Sequence, residues 1–177
     1  AIRRHPIADG YWIAAASGAV DPFGAVSALD SLSHLSLNAP VVDMAVHPTG
    51  EGAWLAASDG GVFALGQAGF YGHAVDLDLV APITGIAAHP QGGGYWLCSE
   101  DGGIFSYGEA TFQGSAASIA LAGPAVAIAA HPGGNGYWIL TNDGGVFTFG
   151  DAGFHGSLGG IRLSAPAIDI AATPSGN

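Results

Sequence analysis

Four histidines each precede a proline at one fixed spacing: His5-Pro6, His47-Pro48, His89-Pro90 and His131-Pro132. Imidazole nitrogen is a common ligand for zinc and nickel, and a closed ring would set these side chains in a circle around one axial mouth. That makes His47, His89 and His131 weak metal candidates. Zinc holds its nitrogens at about 2.0–2.1 Å, and a wide ring keeps equivalent atoms much farther apart. The stronger reading is a histidine packed or hydrogen-bonded within its own His-Pro turn, with no cofactor. Two carboxylates, Asp43 and Asp169, share one repeat phase that Gly85 and Ala127 fill elsewhere. A carboxylate pair can serve as general acid and base. The expected role here is plainer: facing water in a channel, or accepting from neighbouring backbone amides. Asp59, Asp101 and Asp143 each open an Asp-Gly-Gly and are expected to bond their own turns. Calcium would need six to eight oxygens, and each repeat offers one such carboxylate. Cys98, the single cysteine, stands where other repeats carry Ala14, Ala56 and Leu140, so it reads as a small buried apolar residue. There is no nucleophile elbow, metal-ligand spacing or glycine-rich phosphate loop. The expectation is a protein that is not an enzyme.

The elements that position these residues repeat every 42 residues, at Gly10-Tyr11-Trp12, Gly52-Ala53-Trp54, Gly94-Tyr95-Trp96 and Gly136-Tyr137-Trp138. All four tryptophans lie on this register. An apolar segment (41–47, 83–89, 125–131, and a last one over 167–173) precedes a turn containing proline and glycine. Then come the Gly-x-Trp segment, Asp-Gly-Gly, and a third apolar segment such as Val146-Phe147-Thr148-Phe149. Asp-Gly between apolar runs is a strong hairpin signal, because glycine accepts the positive φ of a tight turn. A short fourth segment holds Phe70, Phe112 or Phe154. No helical period is present. Each unit therefore reads as three or four antiparallel strands. Units of this length point to an all-β fold, a β-propeller of four repeats at about 10–51, 52–93, 94–135 and 136–177 in one domain. The first copy is degraded: Ser17-Gly18-Ala19 replaces Asp-Gly-Gly, and Asp21 stands where Phe63 and Phe105 fall, which predicts a looser third strand. Residues 5–9 and 173–177 share one phase. The opening strands from Gly10 are expected to lack a first strand, and 167–172 to lack partners downstream. Pairing these ends closes four blades in one chain or, by strand exchange in a homodimer, eight. An excerpt of a longer array is the remaining option.

The chain has no lysine, three arginines and 14 carboxylates, for a net charge of −11. This argues against nucleic acid, whose binding depends on cations that release counterions, and against anionic membrane surfaces. Hydrophobic residues make up 49% and charged residues 10%, which argues against disorder. No apolar run is long enough for membrane insertion. No signal peptide is visible, which implies a cytosolic or an already processed chain.

The run Gly136-Tyr137-Trp138, Asp143-Gly144-Gly145-Val146-Phe147 and Phe149-Gly150-Asp151-Ala152-Gly153-Phe154 resembles a known repeat. It is similar to the Gly-Tyr-Trp, Asp-Gly-Gly-Ile-Phe, Phe-Gly-Asp-Ala propeller-like repeats of actinobacterial secreted proteins, which often accompany cell-wall or ester hydrolase domains. The resemblance covers essentially the whole chain and is weakest in the first copy. It implies a secreted or cell-surface, non-catalytic module and transfers no binding residues. Strand order also looks like that of WD-type propellers, without the Trp-Asp dipeptide.

Repeated residues are expected to be scaffold, and differences between repeats to carry recognition. After the recurring phenylalanine stands Tyr71, Gln113 or His155, and two residues later His73, Ser115 or Ser157. With the phenylalanine taken as inward, its neighbour faces outward, so Tyr71, His73, Gln113 and His155 are the candidate ligand-binding residues. The longer connections 31–36 and 72–78 add Asp76 and Asp78, an acidic rim suited to a cationic or neutral partner. The expected function is recognition of cell-envelope glycan or a protein partner. The alternative is a self-associating structural repeat that builds a larger ring. A more distant one is an accessory domain of a secreted hydrolase.

Overall fold

A computed structural model describes residues 1–176. The described residues form twelve strands and no helix. They are β1 (Ile2–Arg4), β2 (Gly10–Ala14), β3 (Val20–Gly24), β4 (Val41–Val46), β5 (Gly52–Ala57), β6 (Val62–Gly66), β7 (Ile83–Ala88), β8 (Gly94–Ser99), β9 (Ile104–Gly108), β10 (Ala125–Ala130), β11 (Gly136–Thr141) and β12 (Val146–Gly150). Consecutive triplets make four antiparallel sheets, each with the Gly-x-Trp strand in the middle. First strands of successive sheets adjoin one another, and Val42, Thr84 and Val126 from β4, β7 and β10 line a common central space. Each of these strands has a register shift at that residue. This is a propeller-like succession of sheets, and the described residues show no closed ring.

Local chemistry explains the strands. Gly60, Gly102 and Gly144 of the Asp-Gly-Gly turns have φ of 91°, 81° and 83°, a region that an L side chain rarely enters. The preceding aspartate accepts from the amide two residues on: Asp59 from Gly61 at 3.0 Å, Asp101 from Gly103 at 3.1 Å and Asp143 from Gly145 at 3.2 Å. These carboxylates close their own turns, as the sequence indicates.

The core lies between sheets rather than within any one of them. Trp12 packs with Met44, Leu55 and Leu65 of the second sheet. Trp54 packs with Ile83, Ile86, Tyr95 and Leu97 of the third, and Trp96 with Ile128, Tyr137 and Ile139 of the fourth. Each indole also donates to the connection leaving its own sheet: to Ser27 O, Gly69 O, Thr111 O and Gly153 O at 2.7–2.9 Å.

Several expectations are corrected. The first sheet has its own first strand: Ile2, Arg3 and Arg4 pair with Ile13, Trp12 and Tyr11. Residues 167–172 form no strand, and Ile168 is 81% exposed. Sheets have three strands, because the segments holding Phe70, Phe112 and Phe154 are irregular connections. In the first copy β3 keeps full register with β2 across five pairs, so the loss of Asp-Gly-Gly did not loosen its pairing. Its residues after Val20 are exposed.

Trp96 contributes both apolar burial and the bond to Thr111. Trp96→Ala is expected to lower unfolding free energy by about 3–5 kcal/mol, read by urea denaturation.

Candidate functional site

The histidines separate rather than converge. Each imidazole lies against the tryptophan of its own sheet, with ring centroids 5.1–5.6 Å apart. Its Nε2 abuts the turn glycine of the next unit: His5 against Gly50, His47 against Gly92, His89 against Gly134 and His131 against Gly176. A side chain on any of these glycines would collide with the ring. On the other edge of three of them, Nδ1 accepts from its own turn, from Ile7 and Ala8 at His5, Thr49 at His47 and Gly133 at His131. His5, His47 and His89 are thus wedges, one per inter-sheet layer, and His131 packs against the segment that holds Gly176. Among the described residues, no three His, Cys, Asp or Glu side chains gather around a point that could hold an ion.

Asp43 and Asp169 do meet, through a residue that sequence reasoning passed over. Arg3 donates to Asp43 Oδ1 at 2.6 Å, to Asp169 Oδ2 at 3.1 Å and to Met44 O at 2.8 Å. Asp43 is buried and also accepts from the Met44 amide (2.8 Å) and, across the layer, from Ile86 (3.1 Å). Asp169 is half exposed. Burial pushes the Asp43 carboxyl above its ordinary value of 3.8; the Arg3 guanidinium and the two amides oppose that shift, and the Asp169 charge adds to it. The signal was available: Arg3 stands where Ala45, Ala87, Ala129 and Ala171 stand in the other units. With both carboxylates engaged by one guanidinium, neither is free to work as an acid–base pair. Their chemistry is cross-linking of three segments at the axis.

The four outer candidates have different fates. The Tyr71 hydroxyl donates to Gly92 O at 3.1 Å, and its amide donates to the Tyr95 hydroxyl at 3.2 Å, which itself donates to Gly72 O at 2.6 Å. The Tyr71 ring lies beside Trp54 and Tyr95. Gln113 repeats the pattern: its amide donates to Tyr137 OH at 3.1 Å, which donates to Gly114 O at 2.6 Å, while its side chain reaches Thr111. Tyr71 and Gln113 therefore fasten one sheet to the next. His73 is exposed beside Phe70, with ring centroids 6.0 Å apart, and 4.0 Å from Asp76. His155 is exposed and lines a cavity of about 250 Å³ with Trp138, Gly156 and Ile170. The four do not form one site.

The inward placement expected for the phenylalanines is reversed. Phe70, Phe112 and Phe154 are 56%, 59% and 62% exposed. Strand alternation does not govern these connections. The hydrogen bonds to the Trp and Tyr side chains pull the neighbouring peptides inward and leave each phenyl ring in water. Three successive units thus present one exposed ring at the same place.

Cys98 is fully buried, and burial pushes its thiol up to about 12. Thiolate is the reactive form, so this residue offers no nucleophile at neutral pH.

No protein-family model matches the chain, and no curated protein matches it.

Two outcomes follow. Native protein near neutral pH is expected to leave Cys98 unmodified by a thiol reagent, with one equivalent reacting on denaturation, as counted by intact mass. For Asp43, the folded state holds its proton more tightly than the unfolded state. Its contribution to stability therefore grows as pH falls through the raised folded value and is complete below 3.8. Urea titrations across that range are expected to show wild type gaining on Asp43→Asn as pH falls.

Proposed function

We propose that this chain is a non-catalytic, propeller-type recognition module that acts outside the cell and binds cell-envelope glycan through repeated aromatic platforms. The observation that carries this reading is the exposed Phe70, Phe112 and Phe154, one ring per unit at equivalent places. A large apolar ring left in water costs free energy, and repetition of that cost in three units favours a surface kept for contact. A ring face stacks on the apolar face of a sugar. Equivalent rings on successive units suit a polymer with its own repeat, because several weak contacts multiply once the first is made. The acidic Asp76 and Asp78 beside the first platform favour a neutral or cationic ligand over a phosphate-rich one. The resemblance of the repeats to those of secreted actinobacterial proteins points the same way.

The test is co-sedimentation with purified bacterial cell walls, followed by soluble glycan fragments on an array. A single Phe112→Ser is expected to weaken binding several-fold. The triple substitution of Phe70, Phe112 and Phe154 to Ser is expected to weaken it by roughly a hundredfold, on the basis of about 1 kcal/mol per aromatic contact. The melting temperature should be nearly unchanged, since the rings are exposed. Unaltered binding by the triple variant would reject the platform. Binding only to the protein fraction of the envelope would replace glycan with a protein partner.

A further inference from the structure

The second unit departs from its neighbours at two places around one turn. Two residues before the turn aspartate stands Ser99 in the third unit and Thr141 in the fourth. Each hydroxyl donates to that aspartate at 2.5 Å, Ser99 to Asp101 and Thr141 to Asp143. The second unit carries Ala57 there. At the start of the long connection the other three units carry Ser31, Ser115 and Ser157, and the second carries His73. Ser115 and Ser157 donate to the turn carbonyls of Gly102 and Gly144 at 3.1 and 3.2 Å. The second unit thus keeps the carboxylate and lacks both hydroxyl donors. Among the described residues, the Asp59 side chain accepts from the Gly61 amide alone. The Gly60 carbonyl accepts from the Ala74 amide without the added hydroxyl.

A cavity of about 200 Å³ opens beside this turn, lined by Ala57, Asp59 and His73 together with Asn38, Phe63 and Val75. Both departures line it. Acceptors left short of donors favour a ligand that donates. Charge narrows the choice. Arg3 pairs with Asp43 and Asp169, and no arginine among the described residues pairs with Asp59. Asp76, 4.0 Å from His73, adds a second carboxylate at the rim. An ammonium brings three donors and a positive charge, and an aromatic face such as that of Phe63 also attracts it. Val75 and Ala57 offer apolar wall to the carbon that bears the nitrogen. His73 joins this cavity to the first platform, since its ring lies 6.0 Å from that of Phe70.

We propose that this cavity is a subsite for the free ammonium of an amino sugar, adjoining the Phe70 platform. The proposal rests on the glycan reading and names the sugar that the first platform takes. The sugar ring stacks on Phe70, and its ammonium enters past His73 to pair with Asp59. N-acetylation removes the charge and puts a bulkier neutral group in its place, so an acetylated residue is disfavoured here.

The test is calorimetric titration of the full chain with a glucosamine tetrasaccharide, its N-acetylated counterpart and propylamine, with the amines protonated. The glucosamine form is expected to bind about tenfold tighter than the N-acetylated form. Asp59→Asn keeps the turn, because a carboxamide oxygen still accepts from Gly61. It is expected to abolish the preference and leave N-acetylated binding unchanged. Ala57→Ser/His73→Ser restores the residues of the third unit and closes the cavity. It is expected to do the same without lowering the melting temperature. Equal affinity for the two tetrasaccharides overturns the proposal. So does a preference that both variants retain, which would be attraction to the net charge of −11. Propylamine that competes as strongly as the amino sugar assigns the cavity to amines without a sugar and also overturns it. Phe112→Ser, in the next unit, separates this result from the glycan reading. N-acetylated binding that falls with Phe112→Ser, with no preference for the free amine, rejects the subsite and keeps the platforms. Binding of neither tetrasaccharide rejects the subsite, and co-sedimentation with cell walls then decides the platforms.

Discussion

A three-stranded sheet whose strands are at most six residues long has two faces and too little area to bury either one alone. Everything else in this molecule follows from how the tryptophan answers that constraint. Its ring fills the space between its own sheet and the next, and its indole nitrogen fixes the connection that leads there. One side chain therefore sets both the spacing of two sheets and the path of the chain between them. The histidine before the turn completes the layer by wedging between that indole and a turn glycine too close for any side chain. Where the following sheet carries a tyrosine, its hydroxyl ties down the far end of the same connection. Where it carries Ala53, that tie is missing, and the first layer relies on Met44, Leu55 and Leu65 instead.

Repetition builds the scaffold, and departures from it mark what is particular to this protein. Arg3 replaces a small residue on the axis and draws in two carboxylates, one of them buried. A buried aspartate is costly unless its oxygens are satisfied, and the guanidinium and two amides satisfy those of Asp43. The exposed phenylalanines are the opposite case. They are repeated, yet they play no part in holding the sheets together, so the rule that repeated residues are scaffold fails there.

Turns and strands were legible because their causes are local. Asp-Gly-Gly needs glycine at positive φ, and the apolar runs around it have nowhere to go but into layers. The burial of Trp12, Trp54, Trp96 and Trp138 was legible from recurrence alone. The direction of Phe70, Phe112 and Phe154 was not. Alternation orders side chains only along a strand, and these residues lie in connections whose peptides are oriented by side chains from two different sheets. The bonds of Tyr71 and Gln113 across the layer were not legible for the same reason, since the hydroxyl that captures each amide is 24 residues away.

By itself the sequence determined the unit: its period, its turns and its three strands in the second, third and fourth copies, but not the first strand Ile2–Arg4 or the irregular path of 167–172. What it determined depends on backbone φ, on hydrophobic patterning and on repetition, all of which are written along the chain. Tertiary structure alone decided how units meet at the axis and at the two ends. Arg3 and Asp169 lie 166 residues apart, and nothing in their local sequence brings them to 3.1 Å. The exposure of Tyr11 and the packing of Ile170 against Trp138 likewise follow only from how the sheets and the last segment assemble. A face is covered or open according to what stands across from it, and that is a property of the assembled sheets.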